Sequence, residues 1–210
     1  SIALLKRTLP LSYKQVKLNV EQSDLDSMSN IVNYDLKELV LIHPGKHWQS
    51  KTMPIEYWQS IIDKLAIDNK VCIIGKDDDT RGVLDVVCPK NAIDFRNLLD
   101  LGSLIALISK AKLLISNDSA PIHIAGAFDN WIVLLPTCKH PDHVLPYRNN
   151  GNVYYKSAAL YKSLPIDEFD ARPTTVRGSS AEFIFNEWDK YLLSPSEVVK
   201  KVNLIRINNL

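Results

Sequence analysis

This 210-residue sequence lacks a surplus of charge, a long apolar run and an even set of cysteines. Its 25 basic and 24 acidic residues nearly cancel, so the composition gives no clear electrostatic signal for nucleic acid or an anionic membrane. No apolar run approaches the ~20 residues that cross a bilayer, so no membrane-spanning helix is predicted. An odd number of cysteines argues against a disulfide framework and favours free thiols in a reducing compartment.

What is present is typical of a folded protein. Hydrophobic residues make up 46% of the chain and charged residues 23%, which excludes a disordered or collagen-like chain. The length predicts one large domain, or one and a half small ones. The first residue is Ser1 rather than Met, so we expect either a removed initiator Met or a piece of a longer protein. Residues 1–37 lack a periodic apolar face and are interpreted as a linker or remnant of another unit, and residues 38–210 as the folded domain.

From Leu39 onward, short apolar runs alternate with helical patterns. The predicted strands cover 39–42, 71–74, 113–115 and 131–135. The predicted helices cover 54–65, 104–108, 121–128, 181–192 and 195–203, with a short helix capped by 77–80 and ending at Val87. Strands alternating with helices indicate βαβ units and an α/β, Rossmann-like, doubly wound parallel sheet. In such sheets ligands bind beyond the carboxyl ends of the strands, which here are the loops 43–54, 75–80 and 116–121.

The loop at 116–121 carries the most informative pattern. Asp118, Ser119 and Ala120 are small or acidic residues placed before a predicted helix, where backbone N–H groups favour an anion. His123 follows in the first turn of that helix and would face the same anion. The pattern therefore predicts a phosphate site, and an ordinary helix cap with a surface histidine is the open alternative.

The loop at 43–54 adds a candidate cation. Pro44 and Gly45 form a turn after the first strand, and Lys51 follows in the same loop. A lysine at this edge could neutralise a phosphate as a point charge. The alternative is a solvated loop lysine.

The loop at 75–80 adds carboxylates. Gly75 ends the second strand, and Asp77, Asp78 and Asp79 follow it. An acidic residue after a Rossmann strand binds ribose hydroxyls, although these three residues could equally be a helix cap and its solvated neighbours.

Other chemistries find little support. His140 and His143 have a spacing that would suit a metal on a helix, but Pro141 interrupts that geometry and no third ligand is evident, so no metal site is predicted. The sequence has no G-x-S-x-G, no Walker A loop and no G-x-G-x-x-G.

Residues 115–127, ISNDSAPIHIAGA, resemble the D-[ST]-G-P-x-H-x-A-x-A signature of the heptosyltransferase-type glycosyltransferases of lipopolysaccharide synthesis. The run Leu41–Gly45, followed by Lys51 and Pro54, is similar to the h-P-G…[KR]-x-W-P segment of that family. Further matches follow in order at 93–96, 136–137, 146–147 and 194–198. The resemblance spans roughly residues 38–203.

This resemblance implies the C-terminal, donor-binding half of a GT-B glycosyltransferase. Lys51 would stabilise the departing nucleoside diphosphate, His123 and the backbone N–H groups of Ser119 and Ala120 would hold the pyrophosphate, and Asp118 would fix the loop. The implied catalytic residues are Lys51, Asp118 and His123. The implied donor-binding residues are Pro44, Gly45, Lys51, Gly75, Asp77, Asp78, Asp79, Asp118, Ser119, Ala120 and His123.

The implied reaction transfers a sugar, heptose by resemblance, from a nucleotide-diphosphate sugar to a glycan or lipid-linked glycan acceptor. It inverts the anomeric centre and uses no metal or cofactor. The donor is expected to be ADP-linked. The carboxylate base and the acceptor site would come from a second chain or domain. A cytoplasmic protein is expected, with peripheral association with the inner membrane face left open.

This sequence departs from the family pattern in three ways. Ala120 replaces a glycine of the motif, Met53 replaces a tryptophan, and the acceptor domain is absent. A non-catalytic nucleotide-sugar-binding or assembly module, and a sugar epimerase of similar GT-B shape, are therefore alternative functions.

Overall fold

The computed structural model of the chain describes residues 16–32, 35–46, 51–77, 82–135, 144–146, 148, 152–155 and 193–208. These residues build a six-stranded parallel sheet and a two-stranded antiparallel ribbon. The strands of the sheet are β1 (Leu39–His43), β3 (Lys70–Ile73), β5 (Ile93–Asp94), β6 (Leu113–Asn117), β7 (Trp131–Leu135) and β8 (Val153–Tyr154). The ribbon pairs β2 (Gly45–Lys46) with β4 (Gly82–Val83).

The strand order of the sheet is β5-β3-β1-β6-β7-β8. The chain therefore starts in the middle, moves outward on one side, returns to the centre at β6 and moves outward on the other side. This is the order of the Rossmann fold, in which the reversal between β1 and β6 opens a crevice for a ligand. The register places His43 opposite Ser116 at the carboxyl ends of these two strands.

Both faces of the sheet are covered by helices. These are α1 (Gln22–Ile31), α2 (Ile55–Asp68), α3 (Leu101–Lys110), α4 (Ala120–Ala125) and α5 (Pro195–Asn208). Alternate residues of β1 enter the two core clusters: Val40 and Ile42 pack with α2 and α5, whereas Leu39 and Leu41 pack with α1, α3 and α4. Because both faces of β1 are buried, its sequence is continuously apolar rather than alternating.

Local signals explain where the longer helices begin. The Asp100 carboxylate accepts a hydrogen bond of 2.7 Å from the Ser103 N–H at the start of α3. At the start of α5, the Glu197 carboxylate accepts from the Ser194 N–H at 2.7 Å, and the Ser194 hydroxyl accepts from the Glu197 N–H at 3.2 Å. This reciprocal arrangement is a capping box, and it confirms the predicted start of the last helix.

The predicted helix that ends at Val87 is wrong over its described part. Residues 82–83 form β4 instead, and Val83 pairs with Gly45. Gly82 has a φ of +133°, which a helix does not allow. The helix predicted over 121–128 is also shorter, since α4 ends at Ala125. The helix predicted over 181–192 lies outside the described residues.

One helix was not predicted. α1 lies within the stretch interpreted as a linker or remnant, and Met28 and Val32 are buried in the same core cluster as α3. The apolar periodicity that indicates a helix is weak here, because α1 buries only Met28 along its length. Within the described residues, no helix has the length and apolar character that crossing a membrane requires.

Candidate functional site

The candidate site lies where β1, β3 and β6 end, at the reversal of strand order. The three predicted loops leave the sheet at this edge, as expected for parallel strands with a common direction. The structure joins the described parts of two of these loops, at 43–54 and 116–121, through side-chain contacts. The third meets the first through Gly75, which lies against the His43 ring, and through an ion pair of Asp77 with Lys46.

Lys51 and Asp118 form an ion pair between the Lys51 Nζ and an Asp118 carboxylate oxygen. The side chains are only 13% and 8% exposed. When a carboxylate and an ammonium group are buried to this extent, removing one of them is strongly destabilising, because the other is left as an unpaired buried charge. The pair therefore holds a lysine in a defined place at the strand edge, which argues against a freely solvated loop lysine.

Asn117 joins the same two loops through the backbone. Its side-chain Nδ2 donates to the Gly45 carbonyl at 2.9 Å and to the Lys51 carbonyl at 2.7 Å. Asn117 is itself 2% exposed. It therefore fixes the backbone on both sides of residues 47–50, which lie outside the described part, and sets the position from which the Lys51 side chain starts.

His43 is the second polar group buried at this edge. Its Nδ1 lies 3.1 Å from the Ser116 hydroxyl and 3.1 Å from the Ser119 hydroxyl, and the two hydroxyl oxygens are 2.9 Å apart. Burial lowers the pKa of His43 from 6.5 to about 4, because the charged imidazolium loses its hydration. The imidazole is therefore neutral at physiological pH.

Two of the predicted glycines make room for this ring. A Cβ on Gly45 would lie 2.7 Å from the His43 Cε1, and a Cβ on Gly75 would lie 3.2 Å from the His43 Cδ2 and 2.8 Å from the Val83 Cβ. Gly75 also has a φ of +141°, which side-chain-bearing residues rarely adopt. These glycines thus serve the packing of the site.

Asp77 belongs to a neighbouring cluster. Its carboxylate forms an ion pair with the Lys46 Nζ at 2.8 Å, and its N–H donates to the Asn97 Oδ1 at 2.7 Å. The Pro44 carbonyl accepts from the Leu84 N–H at 2.8 Å, which ties the β2 turn to the β4 segment. Asp77 is 40% exposed and therefore reachable by a ligand. Asp78 and Asp79 lie outside the described residues.

The remaining predicted positions have simple structural roles. Ala120 is the first residue of α4 and does not have a positive φ, since Asn97 is the only described non-glycine residue that does. The replacement of glycine by alanine therefore introduces no backbone strain there. Met53 is 1% exposed and packs in the core. His123 is exposed on α4.

Among the described residues, no group of at least three His, Cys, Asp or Glu side chains could hold a metal ion. His140, His143 and Cys138 lie outside the described part of the chain.

His43, Ser116 and Asn117 are site residues that were not predicted from the sequence. Each is a polar residue at the end of an otherwise apolar strand, and both strands are buried on both faces. Their position at the end of an apolar strand could have identified them, because a polar side chain there is buried and must find a hydrogen-bond partner at the ligand-binding edge.

Comparison with known proteins adds a family match. Residues 2–165 match the family model of Glycosyltransferase family 9 (heptosyltransferase). The chain is also 26% identical over 151 residues to the lipopolysaccharide core heptosyltransferase OpsX of Haemophilus influenzae; the match covers 69% of this chain and 43% of OpsX.

Two solved structures have a similar fold. A family 9 glycosyltransferase of Veillonella parvula superimposes with a TM-score of 0.63 at 18% identity. E. coli ADP-heptose LPS heptosyltransferase II superimposes with a TM-score of 0.62 at 17% identity. Each match covers 92% of this chain and 54% of the other, so the chain spans about half the length of the relatives it matches. The predicted Rossmann-like half of a GT-B glycosyltransferase is confirmed as the fold.

Proposed function

Because the chain belongs to glycosyltransferase family 9 (heptosyltransferase), as its motifs predicted, we propose that it is the donor-binding half of an inverting glycosyltransferase. The enzyme transfers heptose from an ADP-linked donor to a glycan. Residues 38–210 bind the donor, and residues 1–37 continue from the acceptor domain. A second domain or chain supplies the acceptor site, and the complete enzyme works in the cytoplasm.

The observation that carries this proposal is the buried ion pair of Lys51 and Asp118 at the reversal of strand order. A nucleoside diphosphate brings negative charge into a crevice, and a cation held in place beforehand can meet it without reorganising. Lys51 is such a cation, and Asp118 and Asn117 keep it at the strand edge. The adjacent backbone N–H groups of Ser119 and Ala120 complete the phosphate contacts.

The reaction breaks the bond between the anomeric carbon and the diphosphate oxygen. That oxygen keeps the electron pair and leaves as ADP, while an acceptor hydroxyl oxygen forms the new bond from the opposite face. The hydroxyl proton goes to a carboxylate in the acceptor half. Lys51 and His123 stabilise the negative charge that grows on the leaving diphosphate, which is the role that electrostatic catalysis requires. The proposed step includes no metal: the Lys51 ammonium and the hydrogen-bond donors of the backbone and of His123 face the leaving diphosphate.

The identity of the donor and acceptor rests on the relatives. E. coli heptosyltransferase II is named for ADP-heptose, and OpsX is named for the lipopolysaccharide core. In this proposal Asp77 binds the donor ribose, and its place after β3 and its accessibility support that role. A nucleotide held in this way would place its adenosine over β3 and its diphosphate beside Lys51.

Calorimetry of the purified chain with ADP, GDP and UDP tests the donor site. We expect selective binding of ADP, and at least about tenfold weaker binding after Lys51→Ala or His123→Ala, since a hydrogen bond to a charged group contributes about 1.5–3 kcal/mol. Lys200→Ala is the matched control, because Lys200 is an exposed lysine on α5. Failure of all three nucleotides to bind would refute the proposal.

A double-mutant cycle separates two reasons why Lys51→Ala could bind ADP weakly: the loss of a contact with the donor, and the loss of the cation that neutralises Asp118. Removing Lys51 also leaves the Asp118 carboxylate without the cation that neutralises it, and that carboxylate would repel the diphosphate. Lys51→Ala with Asp118→Asn removes this repulsion. If Lys51 binds the donor, the double variant stays at least about tenfold weaker than wild type. Full recovery of ADP affinity would show that Lys51 serves only to neutralise Asp118.

A further inference from the structure

We propose that His43 is a positioning residue of the donor site: it holds the Ser119 hydroxyl toward the sheet and thereby fixes the loop whose backbone N–H groups, at Ser119 and Ala120, face the donor phosphate. This inference rests on the proposed function. His43 would not touch the donor and would act through Ser119.

The first support is the hydrogen-bond geometry. The His43 Nδ1 is within 3.1 Å of both the Ser119 and the Ser116 hydroxyls, and the Ser119 hydroxyl donates to the Asn117 carbonyl at 3.2 Å. Ser119 directly precedes α4, and serine at this position usually bonds to the backbone of its own helix. Here its side chain makes no such bond. The hydroxyl is instead held on the side of His43 and Ser116.

The second support is that the site is shaped around the ring. β1 and β6 are paired so that His43 lies opposite Ser116. Gly45 and Gly75 leave the space that the imidazole occupies, since a Cβ at either position would lie within 3.2 Å of a ring atom. The imidazole lies close to both glycines and has its Nδ1 at the two serine hydroxyls. Its orientation is therefore determined by the fold, and the ring in turn determines the orientation of Ser119.

The third support is chemical. His43 is 7% exposed, and burial lowers its pKa to about 4, so the ring is neutral where the enzyme works. The Nδ1 of a neutral imidazole either donates one hydrogen bond to a hydroxyl or accepts one from it, and the ring brings no charge of its own to the diphosphate. Its contribution is thus orientation, which distinguishes it from the charged group on Lys51.

Two substitutions separate this role from simple packing. In His43→Asn the side-chain amide lies near the place of Nδ1, so the hydroxyl contact is kept while ring volume is lost. In His43→Leu the volume is largely kept and the contact is lost. We expect ADP affinity, measured by calorimetry, to stay within about threefold of wild type for His43→Asn and to fall by about tenfold for His43→Leu, because one hydrogen bond contributes about 1 kcal/mol.

A further variant tests that His43 acts through Ser119. In a Ser119→Ala background the hydroxyl is gone, so adding His43→Leu should change ADP affinity by less than about twofold. Thermal unfolding of every variant reports its folding. If His43→Leu does not fold, His43→Met replaces it as the apolar variant.

The outcomes distinguish the inference from the function on which it rests. Weaker binding by the apolar variant than by His43→Asn, abolished in the Ser119→Ala background, supports the positioning role. Equal affinities, or weaker binding by His43→Asn, would assign the ring to packing and overturn this inference while leaving the donor site in place. A wild-type chain that binds no ADP would overturn the proposed function, and this inference with it.

Discussion

Acidification should destabilise the protein through His43, a prediction that does not depend on the proposed function. The folded pKa of this histidine is lowered from 6.5 to about 4 by burial. The unfolded chain therefore binds a proton more readily than the folded chain over that interval. Stability from this source is fully present above pH 6.5 and is lost progressively as the pH falls toward 4.

The size of the effect follows from the two pKa values. A pKa difference of one corresponds to about 1.4 kcal/mol, so lowering the pKa from 6.5 to about 4 is worth about 3 kcal/mol. Most of this, about 2–3 kcal/mol, is lost between about pH 7.5 and about pH 4.5. That is a large part of the stability of an ordinary domain.

The assay is urea unfolding of wild type and His43→Asn at both pH values. Carboxylates also titrate over this range, but they do so in both proteins, and the comparison removes their contribution. Wild type should lose about 2–3 kcal/mol more than the variant on acidification. Equal losses in the two proteins would show that His43 is not held neutral by burial, and the reasoning about its orientation would lose its electrostatic support.

Other predictions concern the backbone and the first helix. Gly75→Ala should lower the free energy of unfolding by about 2 kcal/mol or more, because φ is +141° and the new Cβ would lie 2.8 Å from that of Val83. In a Val83→Gly background, which removes the contacting Cβ, the cost of Gly75→Ala should fall only by the part due to contact, and unfolding curves in which the whole cost disappears would exclude backbone strain. Met28→Ala should cost about 2–5 kcal/mol as a buried truncation, whereas Ile31→Ala, at a 45% exposed position of α1, should cost much less. Equal melting temperatures for the two variants would show that α1 does not pack on the domain.

The strands could be predicted from the sequence because burial on both faces produces short, continuous apolar runs. Leu113–Asn117 and Trp131–Leu135 lie inside the sheet, and a strand covered on both faces must be apolar at almost every position. The alternation with helices then indicates a doubly wound parallel sheet, and in such a sheet ligands bind beyond the carboxyl ends of the strands.

The β2–β4 ribbon could not be predicted in the same way. Each of its strands has two residues, which is too short for any periodicity. The acidic run at 77–79 resembled a helix start, but the positive φ of Gly82 directs the chain into an extended pair with β2. Local propensity pointed to a helix, and tertiary pairing decided the outcome.

At the candidate site, too, the sequence predicts individual residues better than it predicts the contacts between them. Lys51 and Asp118 could be proposed from their loops, yet their direct pairing depends on the backbone position that Asn117 sets from a different strand. The contact of His43 with Ser119 joins residues 76 positions apart. Contacts of that kind arise from the strand register, which sequence patterns indicate only after the sheet order is known.

The slot around the His43 ring constrains the order in which substitutions can accumulate during evolution. A Cβ on Gly45 would lie 2.7 Å from the ring and 2.6 Å from the Asn117 Oδ1. Alanine at position 45 is therefore harmful while both side chains are present and becomes acceptable only after both have been replaced by smaller ones. Descendants of this protein that retain the histidine should retain the glycine, and those that lose the glycine should already have lost the histidine. The two positions are thus coupled by epistasis, and their joint variation would trace the history of this site.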